Sequence, residues 1–221
     1  MSKREKVQGR KKTKLKKIIV FIFILLIAGG LVFMALKLTK KPESKKAEKK
    51  VVDTIENFDY TVAETDTKLF KEEFKKLKNE LSKKEVDNKE YATIVAKLFV
   101  IDFFTLDNKL SKNDVGGVQF VYNNYKTTFI DKARDEFYKY VKSNLDDDRK
   151  QELPKVKTIT VNSVEPTTAG AEIHKDEFNQ ISEAYKVSLS WTYEKDLGYQ
   201  TSAVLIVVKD NDKFAVAKLS N

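Results

Sequence analysis

Residues 185–209, YKVSLSWTYEKDLGYQTSAVLIVVK, decide the fold. Tyr185, Val187, Leu189, Trp191 and Tyr193 alternate with Lys186, Ser188, Ser190, Thr192 and Glu194, the period of two expected of a strand with one wet face. A turn at Lys195 to Tyr199, containing Gly198, leads to Thr201 through Val208, whose run AVLIVV is apolar on both faces and so belongs at the centre of a sheet. Asp210, Asn211 and Asp212 turn the chain again into Lys213 to Leu219, which gives three consecutive antiparallel strands.

Upstream the period changes. Val156 to Val164, after Pro154, is rich in β-branched residues, whereas Pro166 to Glu183 fits a short strand, a helical turn or a long loop equally well. Phe129, Ile130, Ala133, Phe137, Tyr140 and Val141 form one apolar face of a helix over Thr128 to Ser143, preceded by a shorter helical stretch around Val118 to Tyr125. From Lys89 to Asp107 the apolar residues almost encircle the helix, which predicts a core helix buried on most sides. Leu69, Phe70, Phe74, Leu77 and Leu81 mark an amphipathic helix from Thr67 to Ser82. Helices followed by strands predict an α+β domain over 67–221, a cone-like arrangement of three or so helices on one curved antiparallel sheet.

Ahead of that domain, Ile18 to Leu36 (IIVFIFILLIAGGLVFMAL) holds no charged residue, and its length matches a hydrocarbon core of about 30 Å, so a single transmembrane helix is predicted at 18–36. A cleaved signal peptide fits less well, because Phe33, Met34, Leu36 and Lys37 offer no small-residue cleavage site. The tail 1–17 carries +8, including Lys11, Lys12, Lys14, Lys16 and Lys17 as membrane-surface residues, and is expected to stay cytoplasmic with the domain outside. Residues 37–66 are predicted to be a charged linker.

The total charge is +9, of which the tail and the +5 stretch 37–50 take more than all, leaving −4 on residues 51–221. Basic charge that brackets an apolar run suits lipid headgroups, and no direct nucleic-acid binding is expected of a mildly acidic domain. The chain has no cysteine, which excludes disulfides, thiol catalysis and cysteine metal sites.

Chemistry has few candidates. His174 is the single histidine, in a loop-like context and with no G-x-S-x-G near any serine, so no triad is predicted. Asp102 interrupts the apolar helix between Ile101 and Phe103, which fits either a pocket carboxylate acting as general base or a structural acid bonded to hydroxyl or backbone groups. Tyr185, Trp191 and Tyr193 share one strand face, as a pocket or partner surface or as core. Asp146, Asp147 and Asp148 lack the spacing of a calcium loop, and Gly116–Gly117 lack a phosphate-loop context, so they are read as a solvated turn and a hinge. No catalytic residue, cofactor or metal is expected.

The basic tail KKTKLKK (11–17), the apolar run, the lysine-rich tether, the helices YATIVAKLFVIDFF (91–104) and FIDKARDEFYKYV (129–141), and the strands YKVSLSWTY, TSAVLIVVK and FAVAKL together give a layout that resembles a known family. It is similar to the bitopic inner-membrane scaffold proteins of type IV secretion and conjugation systems, the eighth VirB component and its Gram-positive relatives, which have a nuclear-transport-factor-two-like fold. Over residues 10–221 the resemblance implies a non-enzymatic membrane scaffold that self-associates and contacts other secretion-channel subunits. The alternative from the residues alone is an extracytoplasmic ligand-binding domain or small enzyme built around Asp102.

Overall fold

The computed structural model describes residues 50–181 and 183–220. Thr67 starts the first helix, α1 (Lys68–Leu81), by accepting a hydrogen bond on its hydroxyl from the Phe70 amide at 3.2 Å, the preferred role of threonine at a helix start. Phe70, Phe74 and Leu77 form the buried stripe of α1. Two acids on the same face are buried as well. Glu73 accepts from Lys76 and Lys97, at 2.6 and 2.5 Å, and Glu80 accepts from Lys83 and from the Asp87 amide, so each carboxylate is compensated.

Asp87 caps α2 (Asn88–Phe104), its carboxylate receiving the Lys89 and Glu90 amides at 2.9 and 3.2 Å. Twelve of the seventeen residues of α2 are buried, which is what an apolar pattern running round the whole helix requires. It lies on a four-stranded antiparallel meander of β3 (Val156–Thr167), β4 (Ala184–Tyr193), β5 (Ser202–Asp210) and β6 (Lys213–Ser220), in that order. The apolar run of β5 explains its place: Ala203, Leu205 and Val207 enter the main core with α2, while Ile206 and Val208 enter a second cluster with Tyr122, Ala169, Phe178, Ala184 and Ala215. The stretch 166–183 contributes Ala169 and Phe178 to that second cluster. After the end of β3 it folds into the short helix α4 (Ala169–Ile173), started by Thr168, and a 3-10 turn at Asp176–Phe178.

The single-sheet expectation is corrected by a second antiparallel sheet. Residues 51–63, predicted to lie in the charged linker, form a hairpin of β1 (Val51–Ile55) and β2 (Tyr60–Ala63). The hairpin is invisible to composition because β1 is mostly exposed and only Tyr60, Val62 and Ala63 are buried. With α3 (Lys126–Asp135) there are four α-helices among the described residues, and none is long and apolar enough to cross a membrane. The span predicted at 18–36 and the basic residues Lys11, Lys12, Lys14, Lys16 and Lys17 lie outside the described residues.

The helix predicted over 128–143 is also shorter than its periodicity implies. At Glu136 the chain leaves helical geometry, and the Tyr138 amide bonds the Ala133 carbonyl at 2.8 Å, five residues back. That extra residue shifts the stripe, so Tyr138 is fully buried while Tyr140 is 74% exposed, the reverse of the expected pattern.

The hairpin is fastened to the sheet by Tyr60, whose hydroxyl donates to the Phe214 carbonyl at 2.9 Å and sits 3.0 Å from the Tyr91 hydroxyl. Lys213 Nζ lies 4.0 Å from the centre of the Tyr60 ring and donates to the Phe58 carbonyl at 2.6 Å. Burial, with Lys126 nearby, lowers the Lys213 pKa from 10.5 to about 8. Since the folded value lies below the unfolded one, the unfolded chain binds more protons in that window, and this group adds stability as pH rises through it. From pH 7.5 to 9.5 the wild type should gain about 1 kcal/mol more than Lys213→Met, a figure discounted for the exposed part of the side chain. Urea titrations of both proteins at the two pH values measure this, and equal gains would contradict it.

Candidate functional site

Asp102 sits at the end of α2 within a polar network. Its Oδ1 receives Lys109 Nζ at 2.5 Å and its Oδ2 receives the Gly117 amide at 2.6 Å. Lys109 has no exposed surface, and the Asp102 side chain is 15% exposed. Beside it the buried Tyr138 hydroxyl donates to the Phe103 carbonyl at 2.6 Å and accepts the Gly116 amide at 3.1 Å. Burial, and then the negative charge of Asp102, push the Tyr138 hydroxyl well above its ordinary pKa. Together these groups hold the segment around Gly116–Gly117 against the helix.

The aromatic residues of β4 face the main core. Trp191 is buried against Phe104, with ring centres 4.5 Å apart; Tyr193 packs on Tyr199 and donates to the Gln200 carbonyl, and Tyr185 packs on Phe214 and donates to Glu183. None of these three, nor Asp102, lines the groove described next. His174 is exposed at the end of α4 with a left-handed backbone, and Asp146, Asp147 and Asp148 are exposed in a turn.

A groove lies elsewhere, at the outer edge of β6. The Tyr122 amide donates to the Val216 carbonyl at 2.9 Å, so that Val121 makes one parallel bridge to β6. The chain then turns away through a 3-10 turn at Asn123–Tyr125 into α3, whose Phe129 packs on Phe99 and Phe103 of α2, with ring centres 5.7 and 5.3 Å apart. This divergence opens a space of about 320 Å³ between α3 and the last residues of β6. Phe99, Val121, Phe129, Val216 and Leu219 make it apolar, and Lys132, Lys175 and Lys218 put three ammonium groups around it.

Two of the cations donate to neutral oxygens, and the Glu177 carboxylate, joined to Lys175 through a shared hydroxyl, also favours the charged form of that lysine. Lys175 Nζ donates to the Tyr125 hydroxyl at 2.8 Å, that hydroxyl donates to Glu177 at 2.7 Å, and Lys218 Nζ donates to the Glu172 carbonyl at 2.8 Å. Among the described residues, none of the three lysines has a carboxylate within ion-pair distance. The lining contains no carboxylate and no histidine. Such a surface can bind through apolar contact and positive charge.

Phe99 and Phe129 carry core-helix signals in the sequence, and nothing in the periodicity marks them as groove residues. Lys132, Lys175 and Lys218 are three among many lysines, and they line one groove only through the fold, from α3, the loop after α4 and β6. The run VAKL at 216–219 was the available signal, a cation placed among apolar residues on an edge strand.

In comparison with known proteins, the chain matches no family model, no curated protein and no solved structure. What the described residues define is an α+β domain whose meander sheet is covered by helix and turn on its two faces and is open along the outer edge of β6 beyond Val216.

Proposed function

We propose that the chain is a non-enzymatic assembly subunit of a cell-envelope machine, located at the membrane surface and making its contacts to partner subunits through the β6 groove. The reading of location rests on the apolar sequence 18–36 and its basic flanks. A conjugative type IV secretion channel is the machine that the resemblance implies. The observation that carries the assembly reading is the lining of the groove: apolar residues and three cations on an exposed sheet edge.

The enzyme alternative placed a general base at Asp102. That carboxylate already receives Lys109 and the Gly117 amide and lies outside the groove lining, so its position gives the alternative no support.

The test is crosslinking in intact cells with an affinity tag on the basic tail, followed by stringent capture. Recovery of other envelope subunits with the protein is expected; recovery of the protein alone would overturn the assembly reading.

A further inference from the structure

We infer that the groove takes an extended acidic segment of a partner protein, which adds to the sheet as a fifth strand along β6. This rests on the groove being the contact site, and commits further to how the partner is held.

The geometry comes from which residues line the groove. Val216, Ala217, Lys218 and Leu219 are four consecutive residues of one strand, and all four do so. Side chains of a strand alternate between its faces, so consecutive residues can line one space only if the strand presents its edge to it. An irregularity in the pairing with β5 at Ala217 accounts for one such coincidence and not for four. β6 is the last strand of the sheet, and beyond the Val121–Val216 bridge no other strand among the described residues pairs with its outer side. The groove is therefore the slot of a missing strand, begun by Val121 and abandoned where the chain turns into α3.

An occupant must satisfy three demands at once. Its backbone has to be extended to meet the amide and carbonyl groups of the β6 edge. Alternate side chains then point into the apolar part formed by Phe99, Phe129 and Leu219, which calls for aliphatic residues at every second position. The ammonium groups of Lys132, Lys175 and Lys218, unmatched by any carboxylate in the lining, call for aspartate or glutamate between them. A basic segment would meet like charge, and a rigid helix would leave the strand edge unpaired.

The test uses the purified full chain and a synthetic octapeptide alternating Glu or Asp with Val or Ile. Binding in the micromolar range is expected, with amide hydrogen exchange slowed at least fivefold over 216–220. The same peptide N-methylated at alternate amides keeps its side chains but cannot complete a ladder, and should bind at least tenfold more weakly. The triple variant Lys132→Glu, Lys175→Glu and Lys218→Glu, all exposed positions, should lose at least tenfold for the acidic peptide and gain affinity for its lysine-substituted counterpart. Equal binding of the N-methylated peptide, or binding without protection of 216–220, would overturn strand addition. Equal binding of acidic and basic peptides to the wild type would overturn the charge selection. If no peptide binds while groove variants still abolish capture of partners from cells, this proposal fails and the assembly reading survives; if neither responds, both fail.

Discussion

Asp102→Asn is expected to lower the unfolding free energy by about 3 kcal/mol, because it leaves the fully buried Lys109 ammonium without its carboxylate. The hydrogen bond from the Gly117 amide can persist on the asparagine oxygen, so the cost is assigned to the charge and not to the loop contact. A second substitution separates the two. Lys109→Met in the Asp102→Asn background removes the unpaired cation and should recover more than half of the loss, a non-additivity expected only of groups in direct contact. Urea titration of the three proteins at pH 7 measures it. A loss below about 1 kcal/mol in the single variant would show that the pair is not a structural element. A catalytic Asp102 predicts the opposite behaviour, an intact fold with lost activity.

The second large effect falls on the other side of the same junction. A Cβ on Gly116 would stand 2.2 Å from the Asp102 carbonyl oxygen and 2.7 Å from its carbonyl carbon, both of them backbone atoms at the end of α2. A flexible side chain could swing away at small cost, but a helix backbone cannot move by an ångström without disturbing the buried residues around it. Gly116→Ala is therefore expected to cost about 3 kcal/mol or more. Gly198→Ala provides the control. Its backbone is left-handed, at φ +72°, with open space around the Cβ position, so only the conformational cost of about 1 kcal/mol applies there. Thermal denaturation ranks the two variants, and a Gly116→Ala protein as stable as Gly198→Ala would contradict the close approach.

These residues also show where the sequence speaks and where it falls silent. Helix α1 was legible to within a residue at each end, because Thr67 supplies a cap and the stripe Phe70, Phe74, Leu77 faces a single core. The place of β5 in the sheet could be read from its doubly apolar run, since burial on both faces leaves no polar position. The β1–β2 hairpin could not, because its anchors are a few buried residues in a short, mostly exposed stretch and their partners, Tyr91 and Phe214, are distant in sequence. The end of α3 departs from its helical period for a related reason. Tyr138 is drawn into the core by hydrogen bonds to Phe103 and Gly116, a tertiary interaction that a helical period cannot register.

The candidate site was least legible of all. Asp102 stood out as an acid in an apolar helix, and its partner Lys109, only seven residues away, looked like any other lysine of the following loop. The groove depends on a divergence between α3 and β6, elements some ninety residues apart, and on an edge that becomes meaningful only once strand order is known. Composition could suggest an assembly subunit, but the surface that would do the assembling had to be built from the fold.

The most direct measurement of the central claim is capture from crosslinked cells repeated with Phe129→Glu and, as a control, Val161→Glu on β3, the opposite edge strand of the sheet. Circular dichroism on both purified variants first establishes that they remain folded. The account predicts that Phe129→Glu loses the co-captured envelope subunits while Val161→Glu retains them. Retention of every partner by a folded Phe129→Glu protein would contradict the claim that the groove is the contact site.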